Sequence, residues 1–362
     1  MHVGVDARTF SFPEPGGDIS YGMHFARRLA DRSTAVTLFG HGNVADRFPG
    51  FELESAGYLV DSQAFGLVWE QTLLPRLGDR RDIDVLFCPN SYCPLRSCSF
   101  PAAIAVQDIP SYHGFKRGAY ARFRKRMLPR VTDRAETVIT VSEFTKAELN
   151  EYVGVPTEKI AVVPNGVDDI FYREETPSVD LDLPEEYVLY VGAMSDRKNV
   201  AGLVEAFDEL KRETDLPHEL VLIGPSQNPT YGSVTPESAA AADDIHRPGY
   251  VSVEELKYAY DAASLFAFPS FHESFGIPPV EAMACGTPVV ASDAGALPEV
   301  LGDAAHTVDP EDPSDIADGM ATVLGDADYA ARLRRRGRER AARYTWEAAT
   351  DRLLTVLSET AE

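Results

Sequence analysis

The sequence predicts an α/β protein built from two doubly wound parallel-sheet domains facing a central cleft. Three observations carry this expectation. Short apolar runs of strand length alternate with helical stretches through the first half, which favours a parallel sheet covered on both faces. Around Thr176 to Pro184 the chain becomes rich in Pro, Asp and Glu, as a linker does. The same alternation then restarts, and 362 residues are enough for two separate cores.

Taken in order, the first half opens on a strand from His2 to Val5 and a Pro- and Gly-rich loop. A helix over Tyr21 to Ala30 and a strand over Ala35 to Phe39 follow. Val85 to Cys88 and Ala102 to Val106 are the next strands. A basic helical region leads to Thr137–Val141, after which Ser142 is placed to cap a helix, and Lys159 to Val163 reads as a further strand. In the second half a strand over Tyr187 to Val191 ends at Gly192. Val200, Leu203, Val204, Phe207 and Leu210 then form one apolar stripe at helical spacing. Leu220–Ile223, Leu265–Phe268 and Pro288–Ala291 are strands, Val280–Ala284 a short helix, and Ser226–Arg247 a variable loop. From Asp328 onward the chain is helical and charged, with Trp346, Ala349, Leu353 and Leu357 on one packing face. The expected domains are 1–175 and 176–340, with 341–362 a terminal helix returning to the first domain.

Bulk properties remove several function classes. Asp plus Glu outnumber Lys plus Arg by 57 to 34, a formal charge of −23 that repels nucleic acid. No apolar run is long enough to span a bilayer, and the first residues lack a secretory pattern, so a cytoplasmic location is expected. Cys88, Cys93 and Cys98 are spaced too widely for paired metal ligation, Cys285 lies far away, and no HExxH occurs, so no metal site is expected. The exception to the acidic surface is 116–134, where Lys116, Arg117, Arg122, Arg124, Lys125, Arg126, Arg130 and Arg134 face only Asp133. Two readings stand open: a solvated helix face, or a peripheral contact for anionic lipid at the inner membrane face or for a lipid-diphosphate acceptor.

The candidate chemistry concentrates in 192–199 and 268–288. Arg197 and Lys198 follow an apolar strand and can contact a diphosphate and neutralise charge on a leaving group. Asn199 is placed to cap the next helix. Glu273 lies in the turn after a strand, and Glu281 eight positions later, on a helix that Pro278 or Pro279 can start. Free N–H groups at such a start can meet phosphate oxygens, and Glu281 can accept from two adjacent ribose hydroxyls. Two unrelated exposed glutamates are the plain alternative. Gly16 and Gly17 let backbone approach a diphosphate before the first helix, or simply make a tight turn. Asp108 either faces the same cleft from the first domain or caps the following turn. The absence of GxGxxG after the first strand argues against a nicotinamide enzyme, and that of GxxxxGK[ST] against ATP phosphotransfer.

These segments together resemble the retaining glycosyltransferase family 4 (glycosyltransferase group 1), whose members have the GT-B fold. The resemblance runs nearly the full length: VSEF at 141–144, VPNGVD at 163–168, YVGAMSDRKN at 190–199, GYVSVEEL at 249–256, FPSFHESFGIPPVEAMACGTPVVAS at 268–292 and LPEVLGDAAHTVDPED at 297–312. It implies that Lys198 contacts the donor diphosphate and Glu281 binds ribose. Glu273 and the backbone of Ser274, Phe275 and Gly276 would surround the sugar or phosphate, and Gly17 would meet the diphosphate. Ala193 stands where many relatives have arginine, a place Arg197 can fill. Gln107 and Asp108 stand where many have His-Asp, so no catalytic histidine is carried over. The implied reaction moves a hexose-type sugar from a nucleotide diphosphate sugar to a hydroxyl acceptor with retention, with no cofactor and no protein-bound metal. Arg197, Lys198 and Glu273 would form its electrostatic centre. A lipid-linked saccharide or other glycan fits the acceptor. A nucleotide-sugar epimerase, a sugar phosphorylase or a non-catalytic nucleotide-sugar-binding protein would use the same scaffold, and turnover that requires an acceptor separates them. The sequence assigns no oligomeric state.

Overall fold

Residues 1–12, 17–32, 34–55, 63–225 and 241–362 are described by the computed structural model. Contacts divide the chain into Met1–Asn165 with Trp346–Glu362, and Gly166–Thr345. Composition places the junctions instead at 175 and 340. The segment after Gly166 belongs to the second unit because Phe171 is buried edge-on against Tyr260, and the Tyr172 hydroxyl donates to the Ala341 carbonyl at 2.9 Å. The acidic stretch that resembles a linker lies along that unit, where the Thr176 hydroxyl donates to Asp261 at 2.7 Å.

The first unit holds β1 (His2–Asp6), α1 (Gly17–Asp31), β2 (Ala35–Gly40), α2 (Val44–Arg47), β3 (Glu52–Ser55), α3 (Gln63–Thr72) and α4 (Leu74–Arg81). β4 (Val85–Cys88), β5 (Ala102–Ala105), α5 (Ala119–Arg134), β6 (Thr137–Thr140), α6 (Glu143–Glu148) and β7 (Ile160–Val162) complete its sheet and covering helices. Among the described residues the strand order is β3-β2-β1-β4-β5-β6-β7, all parallel. The all-buried runs of β4 and β5 explain why they read as unbroken apolar segments rather than alternating ones. Ser142 caps α6, its hydroxyl accepting from the Thr145 N–H at 3.0 Å.

The second unit holds β8 (Tyr187–Val191), α7 (Val200–Glu213), β9 (Glu219–Ile223), β10 (Ile245–Gly249), α8 (Val253–Ala262), β11 (Leu265–Phe268) and α9 (Ile277–Cys285). It continues through β12 (Val289–Ser292), α10 (Leu297–Leu301), β13 (His306–Val308), α11 (Pro313–Gly325) and α12 (Ala327–Ala341). Its strands run parallel in the order β10-β9-β8-β11-β12-β13. β10 corrects the variable-loop reading of Ser226–Arg247: Ile245 and His246 pair with Leu220 and Val221. Its composition, IHRPG, has no apolar run to announce a strand, as befits a partly exposed edge carrying Pro248. The rest of that expected loop, 226–240, lies outside the described residues.

α13 (Trp346–Ala361) closes the first unit. Trp346 stacks on His24 at 4.4 Å between ring centroids and meets Phe25 edge-on at 5.3 Å. Trp346, Ala349, Leu353 and Leu357 are all buried, as their spacing predicts.

Candidate functional site

In the second unit the chain order reverses between β8 and β11, which lie side by side while their successors run to opposite edges. Ligands of open α/β sheets sit at the carboxyl ends of strands at such a switch point. The two segments singled out in the sequence leave those two strand ends, 192–199 after β8 and 269–276 after β11.

The two segments are tied together. The Phe271 N–H donates to the Arg197 carbonyl at 3.0 Å, and Arg197 Nη1 donates to the His272 carbonyl at 2.9 Å and to Glu273 Oε2 at 3.3 Å. Lys198 Nζ lies 2.7 Å from Glu273 Oε1 and 4.8 Å from the Phe268 ring centroid. Burial pushes the Glu273 carboxyl up, but Lys198 and then Arg197 overturn this and hold it below the ordinary carboxylate range. The cluster is therefore two cations around one buried carboxylate, a net single positive charge. Gly295 makes this packing possible. Its φ is +63°, and a Cβ there would sit 2.6 Å from the Glu273 carbonyl oxygen. The adjacent Ala296 N–H donates to that same oxygen at 2.8 Å.

Asn199 takes a role other than the expected side-chain cap. It occupies the N-cap position of α7 with φ +54°, but its side chain makes no cap bond. Instead its Nδ2 donates to the Pro310 carbonyl at 2.7 Å, anchoring the turn to the segment after β13.

α9 starts three residues earlier than its apolar positions suggest, at Ile277. Gly276 precedes it with φ +88°, and Pro278 and Pro279 remove two N–H groups from its first turn. The donors open to an anion there are thus fewer than a generic helix start supplies. Phe275 is buried edge-on against Tyr344 at 5.2 Å, so its side chain is an anchor for the turn. Ser274 is also buried. Glu281 is half-buried on α9 and accepts from the Tyr260 hydroxyl at 3.0 Å. Burial raises its carboxyl to about 7; the Tyr260 bond opposes that shift and Asp168 adds to it.

Arg197, Lys198 and Glu273 are thus in mutual contact, whereas Glu281 has its own partner on α8. Gly17 begins α1 and Asp108 is half-buried in the coil after β5, both in the first unit, while Gly16 lies outside the described residues. Sequence reasoning missed Tyr260, whose helical spacing gives only a core signal, and Gly295, whose signal is no more than Gly after Asp-Ala. Cys88, Cys93, Cys98 and Cys285 are free thiols.

Two parallel-sheet units, each with an open strand order, and a cationic cluster at a switch point define a GT-B glycosyltransferase. The family model described as Glycosyltransferase Family 4 matches residues 15–170, and that described as Glycosyl transferases group 1 matches 172–340. O-antigen chain mannosyltransferase B of Escherichia coli is 32% identical over 358 residues, covering 91% of this chain and 92% of that protein. Serotype-specific mannosyltransferase WbdA of Escherichia coli is 26% identical over 59% of this chain, a match spanning 28% of WbdA. Sucrose-phosphate synthase of Thermosynechococcus elongatus shares the fold, with a TM-score of 0.76 at 20% identity over 99% of this chain and 98% of that one. The chain belongs to the group 1, family 4 glycosyltransferases, enzymes that transfer a sugar from a nucleotide diphosphate sugar to an acceptor. The donor is itself the activated substrate, and the family reaction calls for no separate cofactor.

Proposed function

We propose that this chain is a retaining mannosyltransferase acting on a hydroxyl of a growing glycan, with a saccharide or lipid-linked saccharide as acceptor. The observation that carries the chemistry is the Arg197–Lys198–Glu273 cluster at the β8/β11 switch point. The sugar follows from the relative that matches over nine-tenths of both chains and is named a mannosyltransferase. In this reading the second unit binds the donor and the first presents the acceptor.

Arg197 and Lys198 together carry one positive charge more than Glu273 cancels, and that surplus attracts the donor diphosphate. As the sugar–phosphate bond breaks, the same cations stabilise the negative charge that grows on the departing phosphate. The acceptor hydroxyl attacks the face the phosphate leaves, and a phosphate oxygen takes its proton, so configuration is retained. Glu273 fixes both cations and borders the sugar, with the Ser274–Gly276 backbone beside it. Glu281, when ionised, accepts from the ribose hydroxyls. Gly17 and Asp108 of the first unit are the residues proposed to meet the diphosphate and the acceptor.

Titrating the full chain with GDP-mannose, UDP-glucose and dTDP-glucose, then adding mannose-terminated oligosaccharides and weighing products, tests this. Saturable binding of GDP-mannose and an acceptor-dependent gain of one hexose are expected. Turnover of donor without an acceptor, or a requirement for free phosphate, would favour an epimerase or a phosphorylase instead.

A specific observation supports peripheral membrane contact. On α5, Tyr120 and Phe123 are 49% and 38% exposed among exposed Arg122, Lys125, Arg126 and Arg130. Aromatic rings set between cations suit an anionic interface and would place the enzyme at the inner membrane face. Among the described residues no helix is long and apolar enough to cross a membrane. Co-sedimentation with vesicles containing phosphatidylglycerol, lost on Tyr120→Ser with Phe123→Ser, is the expected result; equal pelleting with neutral vesicles would count against it.

A further inference from the structure

The first unit has its own switch point, between β1 and β4, and the groups collected there have no part in the reaction just described. Asp6 ends β1, Arg8 opens the 3-10 turn Arg8–Ser11, and Glu70 comes from α3. Relative exposures of 0%, 5% and 0% make this a fully interior cluster of two acids and one cation.

The hydrogen bonds leave one oxygen of each acid over. Arg8 Nε donates to Glu70 Oε1 at 2.5 Å, and the Arg8 backbone N–H donates to Asp6 Oδ1 at 3.2 Å. Asp6 Oδ2 and Glu70 Oε2 are buried and receive no donor among the described residues. Both acids converge on Arg8 in the interior, and each bears on the other's protonation. Carboxylate oxygens can only accept, so the leftover pair can be satisfied together only if one of them carries a proton.

We infer that Asp6 and Glu70 hold one proton between them, forming with Arg8 a neutral buried triad that locks the turn after β1 at the sheet's switch point. The alternative of two ionised acids leaves a net negative charge in the interior with two like charges around one cation, which is strongly disfavoured. Burial, followed by the Asp6 charge, raises Glu70 to about 8, and burial raises Asp6 as well. The other titratable groups around the triad do not replace the proton. Cys88 at the end of β4 is pushed well up by burial, as are Cys93 and Tyr92 in the segment that follows. Tyr92 in turn meets Tyr120 and Arg124 of α5. His41, after β2, is engaged through Nδ1 with Asn43 Oδ1 at 2.5 Å. Arg8 is the one cation bonded to the acids among the described residues. The fit is tight: a Cβ on Gly66 of α3 would lie 2.6 Å from Arg8 Cδ, so the Arg8 side chain reaches Glu70 across a helix position that only glycine leaves clear.

The sign of the pH dependence follows. An acid raised in the folded state from 4.5 to about 8 contributes stability that is full below pH 4.5 and is lost as pH climbs through about 8. Glu70→Gln keeps the shape, keeps an acceptor for Arg8, and puts an amide N–H where the proton was. The test uses the full chain in a Glu281→Gln background, which removes the other raised carboxyl. Infrared spectra at about pH 6 should show the C=O stretch of a protonated carboxyl that vanishes by about pH 9.5 and is missing in the Glu70→Gln variant. Thermal midpoints of that variant should rise relative to its parent as pH increases across the same range. A parent with no protonated-carboxyl band at about pH 6 would overturn the inference without needing the variant to fold. Identical pH slopes for variant and parent would do so too.

Discussion

The Tyr260 hydroxyl donates to Glu281 Oε2 at 3.0 Å, linking a fully buried phenol on α8 to a half-buried carboxylate on α9. The bond steadies one oxygen and favours the charged form, while burial of the same group favours the neutral one. A carboxyl raised to about 7 sits where modest changes in pH switch its ability to accept from the ribose hydroxyls proposed for it. Donor affinity is therefore expected to weaken as pH falls through about 7, and Tyr260→Phe should move that midpoint upward. At neutral pH the variant should bind donor roughly five-fold more weakly, the equivalent of one lost hydrogen bond. Isothermal titration with GDP-mannose across pH reads both effects. An unmoved midpoint would detach Tyr260 from donor binding.

Glu273 tempers the charge of Arg197 and Lys198, and neutralising it separates binding from turnover. Glu273→Gln raises the local charge by one unit, so a nucleoside diphosphate should bind more tightly at low salt. Transfer should slow because the cations are no longer held in place. Direct titration with GDP at two salt concentrations, beside steady-state rates, checks this. Weaker GDP binding in the variant would contradict it.

In the proposed mechanism Lys198 stabilises the leaving phosphate, so Lys198→Ala should lower kcat on the order of 100-fold or more. It also strips one partner from a buried carboxylate, a loss of about 3 kcal/mol or more in fully buried pairs. Lys198 keeps some solvent exposure, so the stability loss should be smaller than that. Denaturant unfolding of Lys198→Ala, Glu273→Gln and the double variant gives the coupling: the double variant should be more stable than Lys198→Ala alone.

Asn199 performs two tasks, a left-handed backbone and a buried bond to Pro310. Asn199→Gly keeps the first and loses the second; Asn199→Ala loses both. Both should destabilise the second unit, by about 1–3 kcal/mol for the unpaired carbonyl, with alanine the worse by about 1 kcal/mol. Guanidinium unfolding ranks them.

Trp346→Ala should destabilise the first unit by about 3–5 kcal/mol, because the indole is 4% exposed and touches three aromatic rings of α1. Hydrogen exchange should show the loss around α1 and α13, with the second unit's amides unchanged.

The parallel strands were legible because buried strands appear as short unbroken apolar runs. β4, β5, β8 and β11 lie within a residue of where such runs occur. β3 and β10 were not, since ELES and IHRPG sit at sheet edges where composition is freed from burial. The segments bearing Arg197, Lys198 and Glu273 were legible through their positions at strand ends. Their mutual ion pairing was not, because spacing along the chain says nothing of which side chains meet across a loop. Asn199 shows the same limit: a residue suited to capping was diverted by a carbonyl 111 positions away. Tyr260 left no signal at all, being indistinguishable from any aromatic residue on an amphipathic helix.

The first unit is assembled from two stretches of chain that bracket the second. On the ribosome, Gly166–Thr345 emerges ahead of α13, which reaches the first unit only after the whole second stretch has been made. The earlier-translated half must wait, with the face of α1 that Trp346 covers left open to water. Nascent chains stalled before Trp346 should therefore expose that aromatic surface to chaperones, a vulnerability that ends only when α13 emerges.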